Sequence, residues 1–184
     1  MRIGINGYYL STQRSGIGQY TINLIHALSE IDKKNKYYVF SPQPVEWNLP
    51  PNFRLKIIKP LPIFPKSFLN RFLWEEFQLG WAVKKYRIEV FHGLYQSLPR
   101  GTENIGNVVT IHDAIPWRFP FERKQFTYRW YSDIRKNLVK KRAKKVITVS
   151  ETSKLDFAPI YGIKPEEIEV TYESIDPIFQ KNPT

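Results

Sequence analysis

Seven short apolar runs, separated by stretches of helical periodicity, constrain this chain more than any other feature. Residues 3–6, 36–41 (KYYVFS), 54–58 (RLKII), 88–92 (IEVFH), 107–112 (NVVTIH), 146–149 (VITV) and 168–172 (IEVTY) each read as a strand. Between the first two, Ile17, Tyr20, Leu24, Leu28 and Ile31 step by three or four, which is a helix. Residues 66–87 also read as helical. They are apolar on more than one side (Phe72, Trp74, Phe77, Trp81), so this helix is expected to be largely buried, with Gly80 as the expected kink. Ser150 is placed to cap a helix that stops near Tyr161 and Gly162, with Pro165 beyond. Prolines at 42, 44, 50, 51, 60, 62 and 65 mark two loops. Several strands are continuous apolar runs, and strands alternate with helices. That combination predicts a three-layer α/β domain with a mostly parallel sheet covered on both faces.

Composition narrows the chemistry. The chain of 184 residues has no cysteine, which excludes disulfides, thiolate zinc sites and a Cys nucleophile. No apolar run approaches the ~18 residues a membrane-spanning helix needs. The start, MRIGINGYYL, has no signal-peptide core, so the expected location is cytoplasmic, or peripheral on the inner face of the plasma membrane. Three separated histidines show no metal-ligand spacing, and neither metal nor cofactor is expected.

The net charge of +11 is local. Residues 123–145 hold ten bases against the single acid Asp133. Phe126, Trp130, Ile134 and Leu138 recur there at helical spacing, with Tyr131 and Val139 alongside, predicting a helix with one apolar stripe and a basic outer side. Arg129, Arg135, Lys136, Lys140 and Arg142 are the expected anion-facing surface. Such a surface suits an anionic membrane, or nucleic acid if the chain is a non-enzymatic binding module. The aromatics fall on the stripe rather than among the bases, and no nucleic-acid motif is present, which disfavours the second partner.

Parallel α/β sheets bind ligands beyond the carboxyl ends of their strands, so the residues just after strands matter most. After the first strand comes Gly16-Ile17-Gly18 at a helix start, where free amides and the helix dipole suit a phosphate. It is neither a GxGxxG fingerprint, since Thr21 holds the third glycine position, nor a phosphate loop with Gly-Lys-Ser/Thr. A nucleotide-dependent oxidoreductase is disfavoured accordingly. His112-Asp113 follow the strongest strand and suit proton or sugar-hydroxyl chemistry. His92 and the pair Ser150-Glu151 also follow strands.

Five segments carry a family resemblance: SGIGQYTINLIHAL (15–28), EVFHGLYQSLP (89–99), VVTIHDAIPWRFP (108–120), KVITVSETSKLDF (145–157) and EVTYESIDPIF (169–179). In this order and spacing the chain resembles the N-terminal half of a retaining glycosyltransferase of family 4, the mannosyltransferase-like group, with the GT-B fold. The resemblance implies a Rossmann-like domain over residues 1–179, the start of a linker at 180–184, and a separate donor-binding domain or partner subunit. It implies transfer of a mannose-like or glucose-like hexose from a nucleotide-sugar to a saccharide or lipid-linked acceptor in cell-surface polysaccharide or glycolipid synthesis.

By this resemblance Gly16, Ile17 and Gly18 approach the donor phosphates. His112 contacts the donor sugar at the reaction centre with Asp113 in support, and Ser150 and Glu151 lie near the cleft on the donor side. His92, Tyr95 and segment 60–81 line the acceptor side. Two departures stand out: Asn6-Gly7-Tyr8 where the family often has Asp and Arg, and Glu173-Ser174 where it usually has Asn-Gly. The basic pair that grips the donor diphosphate and the Glu-(seven residues)-Glu motif have no counterpart, so the chain alone is expected to be inactive.

Overall fold

The computed structural model describes residues 1–11, 15–62, 68–119 and 126–174. The linker expected at 180–184 and the bases Arg123 and Lys124 lie outside the described residues. Seven strands form one sheet: β1 (Arg2–Asn6), β2 (Lys36–Ser41), β3 (Phe53–Ile57), β4 (Val90–Gly93), β5 (Gly106–Ile111), β6 (Lys145–Thr148) and β7 (Ile168–Val170). Their order is β3-β2-β1-β4-β5-β6-β7, and every pairing is parallel. The chain thus builds outward from β1 in one direction and, from β4, in the other. The β1/β4 junction is the topological switch point, where loops diverge and leave a crevice. The all-parallel three-layer α/β fold expected from the apolar runs is the fold observed.

Helices follow from local signals. In α1 (Gly16–Ile31), Ser15 caps the start by accepting a hydrogen bond from the Gly18 amide at 3.0 Å. In α6 (Glu151–Tyr161), Ser150 accepts from the Ser153 amide at 3.1 Å, and Gly162 ends the helix in the left-handed region at φ 61°. A short helix, α4 (Ile115–Arg118), follows β5 and was not foreseen.

The core has two parts, one on each face of the sheet. Ile5, Ile25, Tyr37, Val39, Phe53 and Leu94 pack around α1. The larger part joins Phe40, Trp74, Leu79, Phe91, Ile111, Val139, Phe157 and Tyr161. It is covered by α2 (Phe68–Leu73), α3 (Leu79–Lys85), α5 (Phe126–Arg142) and α6.

Between α2 and α3 the helix continues through a π-helical turn, Trp74–Gln78. This turn, rather than a kink at Gly80, is where the helix departs from regularity. It buries three consecutive residues, Trp74, Glu75 and Glu76. Gly80 serves close packing instead: a Cβ there would sit 2.3 Å from the Arg100 carbonyl oxygen. Gly80→Ala is expected to destabilise the fold by about 1–3 kcal/mol through overpacking, read as a lower urea midpoint. The opposite face keeps Phe77 and Trp81 exposed, with Arg100 and Lys85 set over their rings at 4.8 and 4.6 Å.

The basic helix differs from its sequence reading in one respect that matters. The buried face of α5 carries Tyr131, Ser132, Arg135, Val139 and Arg142, while Trp130 is 44% exposed. Arg135 and Arg142 are therefore not part of an anion-facing surface. Both turn inward because Glu75 and Glu76 on the π-turn offer carboxylates there: Arg135 pairs with Glu75, and Arg142 with Glu76 at 2.9 Å. Arg129 and Lys140 remain exposed, and Lys136 lies 3.8 Å from Asp133.

Candidate active site

His112 stands directly after β5, at the carboxyl edge of the sheet, with 11% of its side chain exposed. Its Nε2 is 3.0 Å from the Leu94 carbonyl oxygen, and its Nδ1 is 3.2 Å from a Glu173 carboxylate oxygen. The Tyr20 ring meets it edge-on at 4.8 Å. Both ring nitrogens thus face acceptors, and the imidazole is held in one plane. Asp113 plays a different part: its Oδ1 accepts from the Ile115 amide at 3.0 Å and fixes the turn into α4.

Beneath His112 runs a polar chain. His92 Nε2 lies 2.9 Å from Thr110 Oγ1, which in turn is 3.4 Å from the Tyr20 hydroxyl. Burial, helped by the neighbouring His112, lowers the His92 pKa from 6.5 to about 4, and burial raises that of Tyr20. His92 is therefore neutral at pH 7 and supports the layer under His112. Between pH 6.5 and 4 the unfolded chain takes up a proton that folded His92 excludes. Stability should accordingly fall on acidification through that window, by about 2–3 kcal/mol from this residue. His92→Gln should remove that share of the difference between urea unfolding at pH 4.5 and pH 7.

The start of α1 lies next to this layer. The Ser15 side chain occupies the Gly18 amide, and a Cβ at Gly18 would sit 2.9 Å from the Tyr9 carbonyl oxygen. The amides of Gly16 and Ile17, in the first turn, lie outside the helix's own ladder. Around Gly16 there is open space, with nothing within 4 Å of a Cβ. Gly16, Tyr20 and Glu173 line one cavity of about 330 Å³. A second cavity, about 450 Å³, opens between Tyr9, Gly18 and Gln43, beyond β1 and β2.

On the other side of the β1 loop, Tyr95 after β4 packs edge-on against Tyr9 at 5.6 Å. The Arg71 guanidinium lies over the rings of Tyr8, Tyr9 and Tyr95 at 4.5, 4.8 and 5.3 Å. Ser150 is engaged as the cap of α6, and the exposed Glu151 lies 3.6 Å from Lys154.

The structure thus gathers Gly16, His92 and His112 around one edge, with Tyr20, Thr110 and Glu173 added. Sequence reasoning did not assign these three to the site. Glu173 had one visible signal, as a departure from the expected Asn. Among the described residues no group of three or more His, Asp or Glu side chains is arranged to hold a metal ion.

The sequence profile of Glycosyltransferase Family 4 matches residues 14–178. The chain belongs to glycosyltransferase family 4. No curated protein sequence matches it. Among solved structures it is similar in fold to WaaG, a glycosyltransferase involved in lipopolysaccharide biosynthesis (TM-score 0.64, 17% identity, 96% of this chain and 46% of that one). It is similar also to the lipopolysaccharide outer core galactosyltransferase WaaB (0.58, 12%, 96% and 46%). A third likeness is to a glycosyltransferase from Rickettsia africae (0.51, 15%, 98% and 44%). The chain therefore spans about half the length of these relatives. Its sheet is that of the N-terminal half of a GT-B glycosyltransferase, and the family 4 match covers every residue of the His112 layer.

Proposed function

We propose that this chain forms the acceptor-side half of a family 4 glycosyltransferase. In this reading it moves a mannose-like or glucose-like hexose from a nucleotide-sugar to a saccharide or lipid-linked acceptor with retention, in cell-surface polysaccharide or glycolipid synthesis. The observation that carries it is the placement of His112 at the carboxyl edge of β5, held by Leu94 and Glu173 beside the open start of α1. In the reaction the bond from the anomeric carbon to the diphosphate oxygen breaks and one to an acceptor hydroxyl oxygen forms. The acceptor proton passes to the leaving diphosphate.

Positive charge develops on the sugar and negative charge on the diphosphate. The Gly16 and Ile17 amides, with the α1 dipole behind them, suit the second charge. His112 orients the sugar when a sugar hydroxyl takes the Nδ1 position that the half-exposed Glu173 holds here, while the Leu94 carbonyl at Nε2 and the Tyr20 ring keep the imidazole in place. Neutral His92 supports them without adding charge. The donor's nucleotide is assigned to a second domain or subunit.

With Arg135 and Arg142 withdrawn into the interior, the nucleic-acid reading loses the two central bases of its surface. The exposed bases Arg129, Lys140 and Lys141 leave a lipid-linked acceptor at an anionic membrane as the fitting partner. The isolated chain, given a panel of nucleotide-sugars and saccharide acceptors, is expected to release no nucleoside diphosphate above background. Robust transfer by it would place the whole reaction within these residues and overturn the two-part reading.

A further inference from the structure

Two guanidiniums share one carboxylate beside the switch point. Arg71 Nε lies 3.1 Å from Glu75 Oε1, and Arg135 pairs with Glu75 Oε2. Arg135 is 4% exposed and Glu75 1%. Burial, and then the neighbouring Arg71 charge, hold the Arg135 guanidinium well below its ordinary pKa. Among the described residues Arg71 Nη2, Arg135 Nη1 and the hydroxyl of Tyr161 are buried with no hydrogen-bond partner. Tyr161, 1% exposed on α6, is within electrostatic reach of Arg135, Tyr95 and Asp113. Three donors from three helices, α2, α5 and α6, are thus left unsatisfied, and their local charge balance is positive. Buried donors in that state are costly unless something accepts from them.

We propose that Arg71, Arg135 and the Tyr161 hydroxyl form a subsite for a phosphoryl group carried by the acceptor, an assignment that rests on the transferase function proposed above. Three donors arriving from separate helices match the free oxygens of a tetrahedral phosphate better than a planar carboxylate. Guanidinium groups are suited to such oxygens because they donate in a fixed fork. The rings of Tyr8, Tyr9 and Tyr95, which follow β1 and β4, wall the site at the crevice end of the sheet. The donor diphosphate is proposed above at the start of α1, where Gly18 abuts the Tyr9 backbone. Glu75 holds the two guanidiniums together before the ligand arrives, and the Asp113 carboxylate acts on Tyr161.

The test is titration of this chain with inorganic phosphate, glucose 1-phosphate and uridine diphosphate, followed by calorimetry and by thermal unfolding. Saturable phosphate binding is expected, tighter for glucose 1-phosphate. Arg71→Gln should abolish it and Tyr161→Phe should weaken it about tenfold to a hundredfold, the worth of one hydrogen bond to a charged group. In phosphate-free buffer Tyr161→Phe should leave Tm unchanged or raise it, since it deletes an unpartnered buried hydroxyl; a merely structural tyrosine would show the reverse. Lys34→Gln, exposed just past the far end of α1, should bind as the parent does.

Absence of saturable binding at 20 mM phosphate would overturn the subsite and mean that water alone satisfies these donors. Binding equal in the parent, Arg71→Gln and Tyr161→Phe would overturn it by placing the anion elsewhere. Preference for uridine diphosphate over glucose 1-phosphate, lost in Arg71→Gln, would overturn the acceptor assignment in favour of the donor. None of these results bears on whether the family 4 protein transfers a hexose, which a direct transfer assay with nucleotide-sugars measures independently.

Discussion

Glu75→Leu is expected to cost about 3–5 kcal/mol of folding stability, the usual consequence of removing one partner from a buried ion pair. A domain of this size has only about 5–15 kcal/mol to lose, so the variant should be partly unfolded near physiological temperature. The cost arises because Arg71 and Arg135 both depend on this one carboxylate, and Tyr131 donates to it as well, at 3.4 Å. Removing it leaves two like charges facing each other out of water. Arg135→Met should cost less, because Glu75 keeps Arg71 and Tyr131. Urea unfolding of the two variants decides the point: the order Glu75→Leu worse than Arg135→Met is predicted, and the reverse order would mean that Arg135, not Glu75, organises the cluster.

The second large effect concerns the reaction. His112→Ala in the protein that contains this chain is expected to lower kcat/KM for hexose transfer by about 10²–10³, the loss typical of one preorganised hydrogen-bonding group at a reaction centre. Glu173→Gln should act more mildly, since it keeps a hydrogen bond to Nδ1 while removing the charge. Disappearance of the Glu173→Gln effect in the His112→Ala background would mark Glu173 as acting through His112. Unchanged kcat/KM in His112→Ala would remove His112 from the site.

Much of this arrangement was legible in the chain. The parallel sheet followed from continuous apolar runs such as NVVTIH and VITV, because a strand buried on both faces has no polar alternation to show. Ser150 announced its helix through capping chemistry that needs only local sequence, whereas the same role of Ser15 at α1 emerged only in the structure. The His112 position followed from the rule that ligands gather at strand carboxyl ends.

What escaped the sequence depended on distant partners. Arg135 and Arg142 read as solvated bases because nothing local reveals that Glu75 and Glu76, some 60 residues earlier, face them. The stripe on α5 was only partly placed for the same reason: Tyr131 and Val139 are buried, but Trp130 is exposed and Arg135 and Arg142, read as outward, occupy inward positions. The π-turn has no sequence signature beyond its crowding of Trp74, Glu75 and Glu76, and Gly80 attracted the irregularity that belongs to that turn. Tyr20 and Thr110 lie on different elements, and only the β1-β4-β5 order brings them under His112.

The most direct test of the account is hexose transfer by the native protein that carries this chain, purified from its source cells. Nucleotide-sugars would be supplied one at a time, with saccharide and lipid-linked acceptors, and the anomeric configuration of the product read by NMR. The account predicts transfer with the donor's anomeric configuration retained. No transfer from any nucleotide-sugar, or transfer with inversion, would contradict it.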